Sequence, residues 1–131
     1  GATQVHTSLD RFLAQGKGVC QDFAHTMLAV CRSQGIPARY VSGYLYGPEN
    51  GPATHADSAT HAWVECLLFD VDGRPAWRGF DPTNDVAVDD KYVKAHVGRD
   101  YHDVTPIKGV YRGPSSHAME VSVIVRDASK E

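Results

Sequence analysis

The clearest helical pattern in the chain is an apolar stripe over residues 19–34. The stripe recurs at the spacing of one helix face and consists of Val19, Phe23, Met27, Val30 and Cys31. Gly35 and Pro37 then follow, and this order is typical of a helix end. A shorter stripe of Leu9, Phe12 and Leu13 follows Ser8, a good N-cap residue, and predicts a helix over 9–15.

Strand patterns dominate the next part of the chain. Residues 38–46 are rich in aromatic and β-branched side chains, and residues 61–69 are apolar enough for a central strand. Residues 47–59 are rich in glycine, proline and short polar residues and predict a loop. Residues 70–74 carry a turn signal, which predicts a hairpin with a partner strand over 75–80.

The remaining segments are less regular. Residues 86–104 are polar, and we expect irregular structure with at most one helical turn. Residues 110–112 and 120–126 predict two further strands. Together these elements indicate an α+β fold, in which N-terminal helices pack on an antiparallel β-sheet.

The chain has 131 residues, about the length of one domain, and we expect a single domain over 1–131. Its net charge of −3 comes without a basic stripe, so we expect no nucleic-acid partner. It has no apolar run of membrane-spanning length and no signal peptide, so we expect a cytoplasmic protein without a membrane partner. Because the chain begins Gly-Ala without Met, it is expected to be part of something longer.

The three cysteines are Cys20, Cys31 and Cys66, an odd number that argues against a disulfide scaffold. Cys20 lies in the first turn of the predicted helix over 19–34. A helix N-terminus and a nearby imidazolium both lower the pKa of a thiol and favour the nucleophilic thiolate. Cys31 and Cys66 are expected to be core residues.

Cys20, His61 and Asp81 have the residue types of a nucleophilic triad, in which an acid orients the imidazole that exchanges a proton with the thiol. A two-residue turn at Asp72–Gly73 would place Asp81 opposite Val64, on the wrong face of the hairpin. We therefore predict a three- or five-residue loop, or a bulge, between Phe69 and Ala76. This register would bring Asp81 to the face of His61.

The residues around this trio resemble the bacterial transglutaminase-like cysteine peptidase family. The resemblance rests on four blocks in order, which are Gly18–His25, Gly35–Tyr44, His61–Glu65 and Trp77 with Phe80–Asn84; residues 97–111 add further similarity. It implies a papain-like fold with Cys20 as nucleophile, His61 as general base and acid, and Asp81 as the orienting group. It also implies a β-rich N-terminal region, which we expect as a missing domain of the same chain.

The expected chemistry is cleavage of an amide or peptide bond in a protein or peptide substrate through a thioester on Cys20, without a cofactor. The backbone N–H of Cys20 is the natural first donor to the oxyanion. Weaker candidates for oxyanion or substrate contacts are Gln21, Tyr40 and Tyr101, and Trp63 is a candidate wall of the cleft or a core residue.

Three alternatives stay open. The first is transamidation of protein glutamine, and the second is a catalytically silent binding module that retains the trio. The third is a metal site formed by Cys20, His25, His55, His61 and Asp81. The chain lacks the Cys-x-x-Cys and His-Glu-x-x-His spacings typical of zinc sites, so we expect no bound metal.

Overall fold

The computed structural model describes residues 18–46 and 60–105, which form one helix packed on a five-stranded antiparallel sheet. The expected α+β class is confirmed. The elements are α1 (Cys20–Ser33), β1 (Ala38–Leu45), β2 (His61–Phe69), β3 (Pro75–Asp81), β4 (Val86–Ala87) and β5 (Tyr92–Gly98), followed by a 3₁₀ turn over Tyr101–Asp103. The strand order is β4-β3-β2-β1-β5. The predictions for residues 9–15, 47–59, 110–112 and 120–126 lie outside the described residues.

Helix α1 begins and ends close to the predicted positions. Its N-cap is Val19, whose backbone N–H donates to the Asp22 carboxylate at 2.9 Å. At the other end Gly35 has a φ of +73°, a conformation that glycine adopts without a steric penalty. The Ile36 N–H then reaches back to the Cys31 carbonyl at 2.9 Å, which satisfies one of the last helix acceptors.

One face of the sheet packs against α1. The buried residues of this core are Ala24, Leu28, Cys31, Tyr40, Ala62, Val64, Cys66 and Val104. The predicted core positions of Cys31 and Cys66 are therefore confirmed, and their Sγ atoms lie 3.6 Å apart. No helix in the described ranges is long and apolar enough to cross a membrane.

The β2–β3 hairpin has the register that the trio requires. Phe69 pairs with Pro75, which leaves a five-residue connection over 70–74, one of the two lengths predicted. The Asp70 carboxylate accepts the N–H groups of Asp72 at 3.0 Å and Arg74 at 2.8 Å, and Gly73 takes a φ of +75°. Because this register pairs Val64 with Phe80, Asp81 lies on the same face of the hairpin as His61.

The expectation of irregular structure over 86–104 was wrong. Two strands and a 3₁₀ turn occupy this segment, and β5 pairs antiparallel with β1. The sequence signal is weak because β5 lies at the edge of the sheet and exposes most of its side chains, so that Lys94 and His96 interrupt any apolar alternation. The pairing also shifts register between Ser42 and Gly43, which further disrupts a regular pattern.

Candidate active site

Cys20 is the first residue of α1 and lies beside the start of β2. The His61 imidazole and backbone groups of Ala62 and Gln21 lie close enough to its thiol to lower the pKa of that thiol. The side chain is half-buried, and its body packs against the edge of the core under α1. The sulfur therefore lies both at a helix N-terminus and beside the imidazole of the adjoining strand, and both favour the thiolate.

His61 is held from its other side by Asp81. The His61 Nε2 atom lies 2.7 Å from the Asp81 Oδ2 atom, and the Asp81 side chain is fully buried. The two residues are diagonal neighbours across the hairpin, since Asp81 follows the Val64–Phe80 pair and His61 lies at the beginning of β2. The structure thus brings together the three side chains of the predicted trio.

This geometry fixes the proton positions on the imidazole. An ionised carboxylate only accepts hydrogen bonds, so Nε2 carries the proton that it shares with Asp81. The remaining ring nitrogen, Nδ1, is then the atom available to the Cys20 thiol. In the neutral ring it holds the lone pair that can take the thiol proton.

Four further donors surround the Asp81 carboxylate. Its Oδ1 atom accepts the backbone N–H groups of Thr83 at 2.9 Å and Asn84 at 3.3 Å. Its Oδ2 atom accepts the Asn84 side-chain amide at 2.7 Å and the Tyr92 hydroxyl at 2.8 Å. Burial alone would raise the pKa of Asp81, but hydrogen bonds from His61, Tyr92 and Asn84 outweigh it and lower the pKa below its usual value.

The electrostatics of Cys20 and His61 are complementary. Burial raises the pKa of Cys20, but the hydrogen bond and charge of His61 and the two backbone hydrogen bonds lower it below the usual value. Burial lowers the pKa of His61, whereas its contacts with Cys20 and Asp81 raise it above the usual value. Both shifts favour the same charged pair, a thiolate beside an imidazolium.

Trp63 lies two residues after His61 on the same strand face. The two rings stack with centroids 6.3 Å apart, and Tyr92 meets the indole edge-on at 5.3 Å. Trp63 is 1% exposed, and its Nε1 has no hydrogen-bond partner among the described residues. Its burial agrees with the predicted role as a core residue, and the role as a wall of the cleft stays a prediction.

The weaker candidates lie on the helix side of the sheet. Tyr40 is buried under α1, and burial, together with the neighbouring Cys20 and Tyr101, raises the pKa of its hydroxyl. Tyr101 packs at the edge of the same core, and its backbone N–H donates to His25 Nε2 at 3.2 Å. Gln21 reaches Cys20 through its backbone. An oxyanion role for any of these residues stays a prediction.

Neither Asn84 nor Tyr92 was predicted as a site residue. Asn84 belongs to the turn that follows Asp81, and an Asp-Pro-Thr-Asn turn is a signal from which its contact with the carboxylate was foreseeable. Tyr92 approaches from β5, a strand that the sequence did not predict, so no local pattern pointed to it. Within residues 18–46 and 60–105, no group of three or more His, Cys, Asp or Glu side chains is arranged to hold a metal ion.

Comparisons with known proteins agree with this architecture. The family description "Transglutaminase-like superfamily" matches residues 1–82, a range that includes Cys20, His61 and Asp81. An uncharacterised protein of Mycobacterium leprae is 44% identical over 124 residues, which are 94% of this chain and 42% of that protein. The chain thus spans about two fifths of the length of this relative.

Two further similarities concern proteins whose names include an activity. A protein-glutamine gamma-glutamyltransferase of Pseudomonas aeruginosa is 40% identical over 85 residues, 60% of this chain and 12% of that protein. The crystal structure of a candidate cysteine protease from Cytophaga hutchinsonii matches with a TM-score of 0.60 and 34% identity, over 80% of this chain and 32% of that one. On the family match and the shared fold, the chain belongs to the transglutaminase-like superfamily.

Proposed function

We propose that this protein is a thiol-dependent hydrolase of amide or peptide bonds. The observation that carries the proposal is the arrangement of Cys20, His61 and Asp81, in which Asp81 lies 2.7 Å from the imidazole and the neighbouring imidazole lowers the pKa of the thiol. Superfamily membership and the similarity to a candidate cysteine protease support it. The substrate is a protein or peptide, which provides a carbonyl to the thiolate.

The first half of the reaction acylates the sulfur. The Cys20 thiolate attacks the carbonyl carbon, a C–S bond forms, and the negative charge moves to the carbonyl oxygen. The backbone N–H of Cys20, at the start of α1, is the proposed donor to this oxyanion. His61 then protonates the leaving nitrogen, the C–N bond breaks, and an amine departs from a thioester.

The second half of the reaction uses water. Neutral His61 removes a proton from the water as it attacks the thioester carbonyl, and the C–S bond breaks. A carboxylic acid leaves, and the thiolate–imidazolium pair is restored. Asp81 keeps its charge throughout and holds the Nε2 proton, so that Nδ1 faces the reacting atoms in both halves.

The experiment is an activity profile with fluorogenic peptides and with glutamine-containing proteins, for wild type, Cys20→Ala and His61→Ala. We expect turnover by wild type only, and a mass adduct on Cys20 with an acyl-donor probe. Cys31→Ala is the matched control, because it removes a thiol that lies away from His61 and should retain activity. The proposal would be refuted if Cys31→Ala lost turnover while Cys20→Ala and His61→Ala kept it. It would also be refuted if all variants turned over substrate equally.

Transamidation is the second candidate, favoured by the similarity to the Pseudomonas aeruginosa gamma-glutamyltransferase. Both reactions share the thioester and differ in whether water or an amine resolves it. Ammonia release and incorporation of a labelled primary amine can be measured in one assay. Faster amine incorporation than hydrolysis would replace our proposal with the transferase. A catalytically silent module would form no adduct on Cys20.

A further inference from the structure

Tyr92 reaches the Asp81 carboxylate from a strand that is not a neighbour of β3 in the sheet. Asp81 ends β3, whereas Tyr92 begins β5, and both β2 and β1 lie between these strands. In a flat sheet three strand spacings amount to about 14 Å. The Tyr92 side chain nevertheless reaches past β1 and β2, because its hydroxyl lies 2.8 Å from Asp81 Oδ2.

The phenol also contacts the other rings of the site. Its centroid lies 6.2 Å from that of His61 and 5.3 Å from that of Trp63, to which it is nearly perpendicular. Tyr92 therefore touches the acid directly, and it packs beside the imidazole that the acid orients. It makes no hydrogen bond to Cys20 among the described contacts.

The origin of this donor distinguishes it from the others. The Thr83 and Asn84 groups belong to the turn that directly follows Asp81, so they move with β3. Tyr92 is anchored instead through the pairing of β5 with β1, where it lies opposite Leu45. Besides His61 itself, it is thus the donor that ties the carboxylate to a strand other than β3.

We infer that Tyr92 is a positioning residue, which holds the Asp81 carboxylate in the orientation that keeps the His61 imidazolium paired with the Cys20 thiolate. This inference rests on the proposed function only for its kinetic consequence, because the state of the thiol can be measured without a substrate. Burial and the neighbouring carboxylate raise the pKa of Tyr92 to about 12. Its hydroxyl accordingly remains protonated, and able to donate, throughout the neutral range.

The titratable groups around Asp81 determine how the pKa of Cys20 responds when Asp81 is held less firmly. Among the described groups, His61 on β2 and Tyr92 on β5 face Asp81 directly. Cys20 on α1 lies beyond the imidazole, and Asp89, in the β4–β5 connection, lies beside Tyr92. Weaker positioning of Asp81 should destabilise the imidazolium and then the thiolate, so the pKa of Cys20 should rise toward that of a free thiol.

The experiment measures the rate of Cys20 alkylation by iodoacetamide against pH in the full 131-residue chain, with peptide mapping to identify the labelled cysteine. Tyr92→Phe keeps the ring and removes the hydroxyl, whereas Tyr44→Phe is a matched loss of a hydroxyl from β1. The alkylation midpoint is the pH at which the rate reaches half of its maximum. We expect it to rise by about 0.5 to 1 pH unit in Tyr92→Phe and to stay unchanged in Tyr44→Phe. With a substrate, kcat/KM should fall on the order of tenfold.

A second variant keeps the test valid if Tyr92→Phe folds poorly. Asn84→Ala removes another donor to the same Oδ2 atom, from the β3 side, and should shift the midpoint in the same direction. A lower melting temperature with an unchanged or lowered midpoint in Tyr92→Phe would overturn the inference and leave Tyr92 a packing residue. So would an ordinary free-thiol profile for wild-type Cys20, since no charged pair would then exist to be positioned.

The two proposals fail in different ways. If wild type alkylates at low pH and Tyr92→Phe shifts that profile, the positioning role is supported even when no peptide is cleaved. If peptides are cleaved and neither the alkylation profile nor kcat/KM changes in Tyr92→Phe, the hydrolase proposal stands and the positioning role is refuted.

Discussion

At the scale of single residues, the site depends on how completely one buried acid is hydrogen-bonded. Asp81 is 1% exposed and accepts five hydrogen bonds from four residues. A buried carboxylate with so many donors stays ionised, because each donor stabilises the charged form. The imidazole therefore faces a permanent negative charge on one side and a thiol on the other.

Asp81→Asn tests this charge with little change in volume. The amide cannot supply the negative charge that stabilises the imidazolium, and an amide N–H placed at Nε2 would select the opposite tautomer. We expect kcat to fall by about 10² to 10⁴. Steady-state kinetics of a purified variant with an unchanged far-UV spectrum would check this. Activity within a few-fold of wild type would mean that Asp81 has no part in orienting His61.

The sequence predicted the trio but not all of its supports. Cys20, His61 and Asp81 were found because each lies at a recognisable place, the start of a helix, the start of a strand and an Asp-Pro turn. The register that unites two of them followed from the two-residue periodicity of a strand. Tyr92 could not be predicted in this way, since its contact depends on the pairing of β5 with β1, which no local pattern indicates.

At the scale of the strands, an ion cluster ties together β1, β2 and β5. Glu65 is 7% exposed, and its two oxygens bind Arg39 at 2.6 Å and Lys94 at 2.7 Å. Arg39 also lies over the Trp77 ring of β3, 4.1 Å from its centroid. Burial raises the pKa of Glu65, but the hydrogen bonds and charges of Lys94 and Arg39 outweigh it and lower the pKa.

Glu65→Gln should therefore destabilise the sheet. Both cations lose their counter-charge, and because Arg39 and Lys94 are partly exposed we expect a loss of only about 1 to 2 kcal/mol in the free energy of unfolding. Since the folded pKa of Glu65 is depressed, its contribution is present above its unfolded pKa and is lost as pH falls through the folded one. Urea unfolding at pH 7 and pH 3 checks this.

The difference between the two proteins should be largest at pH 7 and should shrink at pH 3. Glu65→Asp serves as the control, because it retains the charge while it shortens the reach, and its stability should keep the pH dependence of wild type. Equal stabilities of wild type and Glu65→Gln at both pH values would show that the cluster contributes nothing to folding.

At the scale of the whole molecule, the fold divides the three cysteines by environment. Cys20 is half-buried at the site, whereas Cys31 and Cys66 are enclosed between α1 and β2. Burial and the adjacent Cys31 raise the pKa of Cys66 to about 12, which leaves it a neutral thiol. The surroundings of Cys20 thus lower the pKa of its thiol, whereas the thiols of Cys31 and Cys66 are buried.

This division predicts selective labelling. Brief treatment of native protein with iodoacetamide at pH 6 should modify Cys20, and Cys31 and Cys66 should become reactive only in denaturant. Intact-mass and peptide mapping would show one adduct before unfolding and three after it. Cys20→Ser should take up no label in the native state. Equal labelling of all three cysteines in native protein would contradict both the packing and the activation of Cys20.

Gly43 lies at the register shift between β1 and β5, and it pairs with His61 of β2. A Cβ atom at position 43 would lie 2.5 Å from the Trp63 ring and closer still to the backbone carbonyl oxygen of Val93. Gly43→Ala should therefore displace the Trp63 ring and also weaken the pairing of β5 with β1. The double variant Gly43→Ala/Trp63→Phe has a smaller ring at position 63. It should recover only part of the lost melting temperature, because the clash with the Val93 carbonyl oxygen remains. The absence of a side chain at Gly43 thus lets β1 accommodate both the Trp63 ring, which stacks on His61, and strand β5, which carries Tyr92.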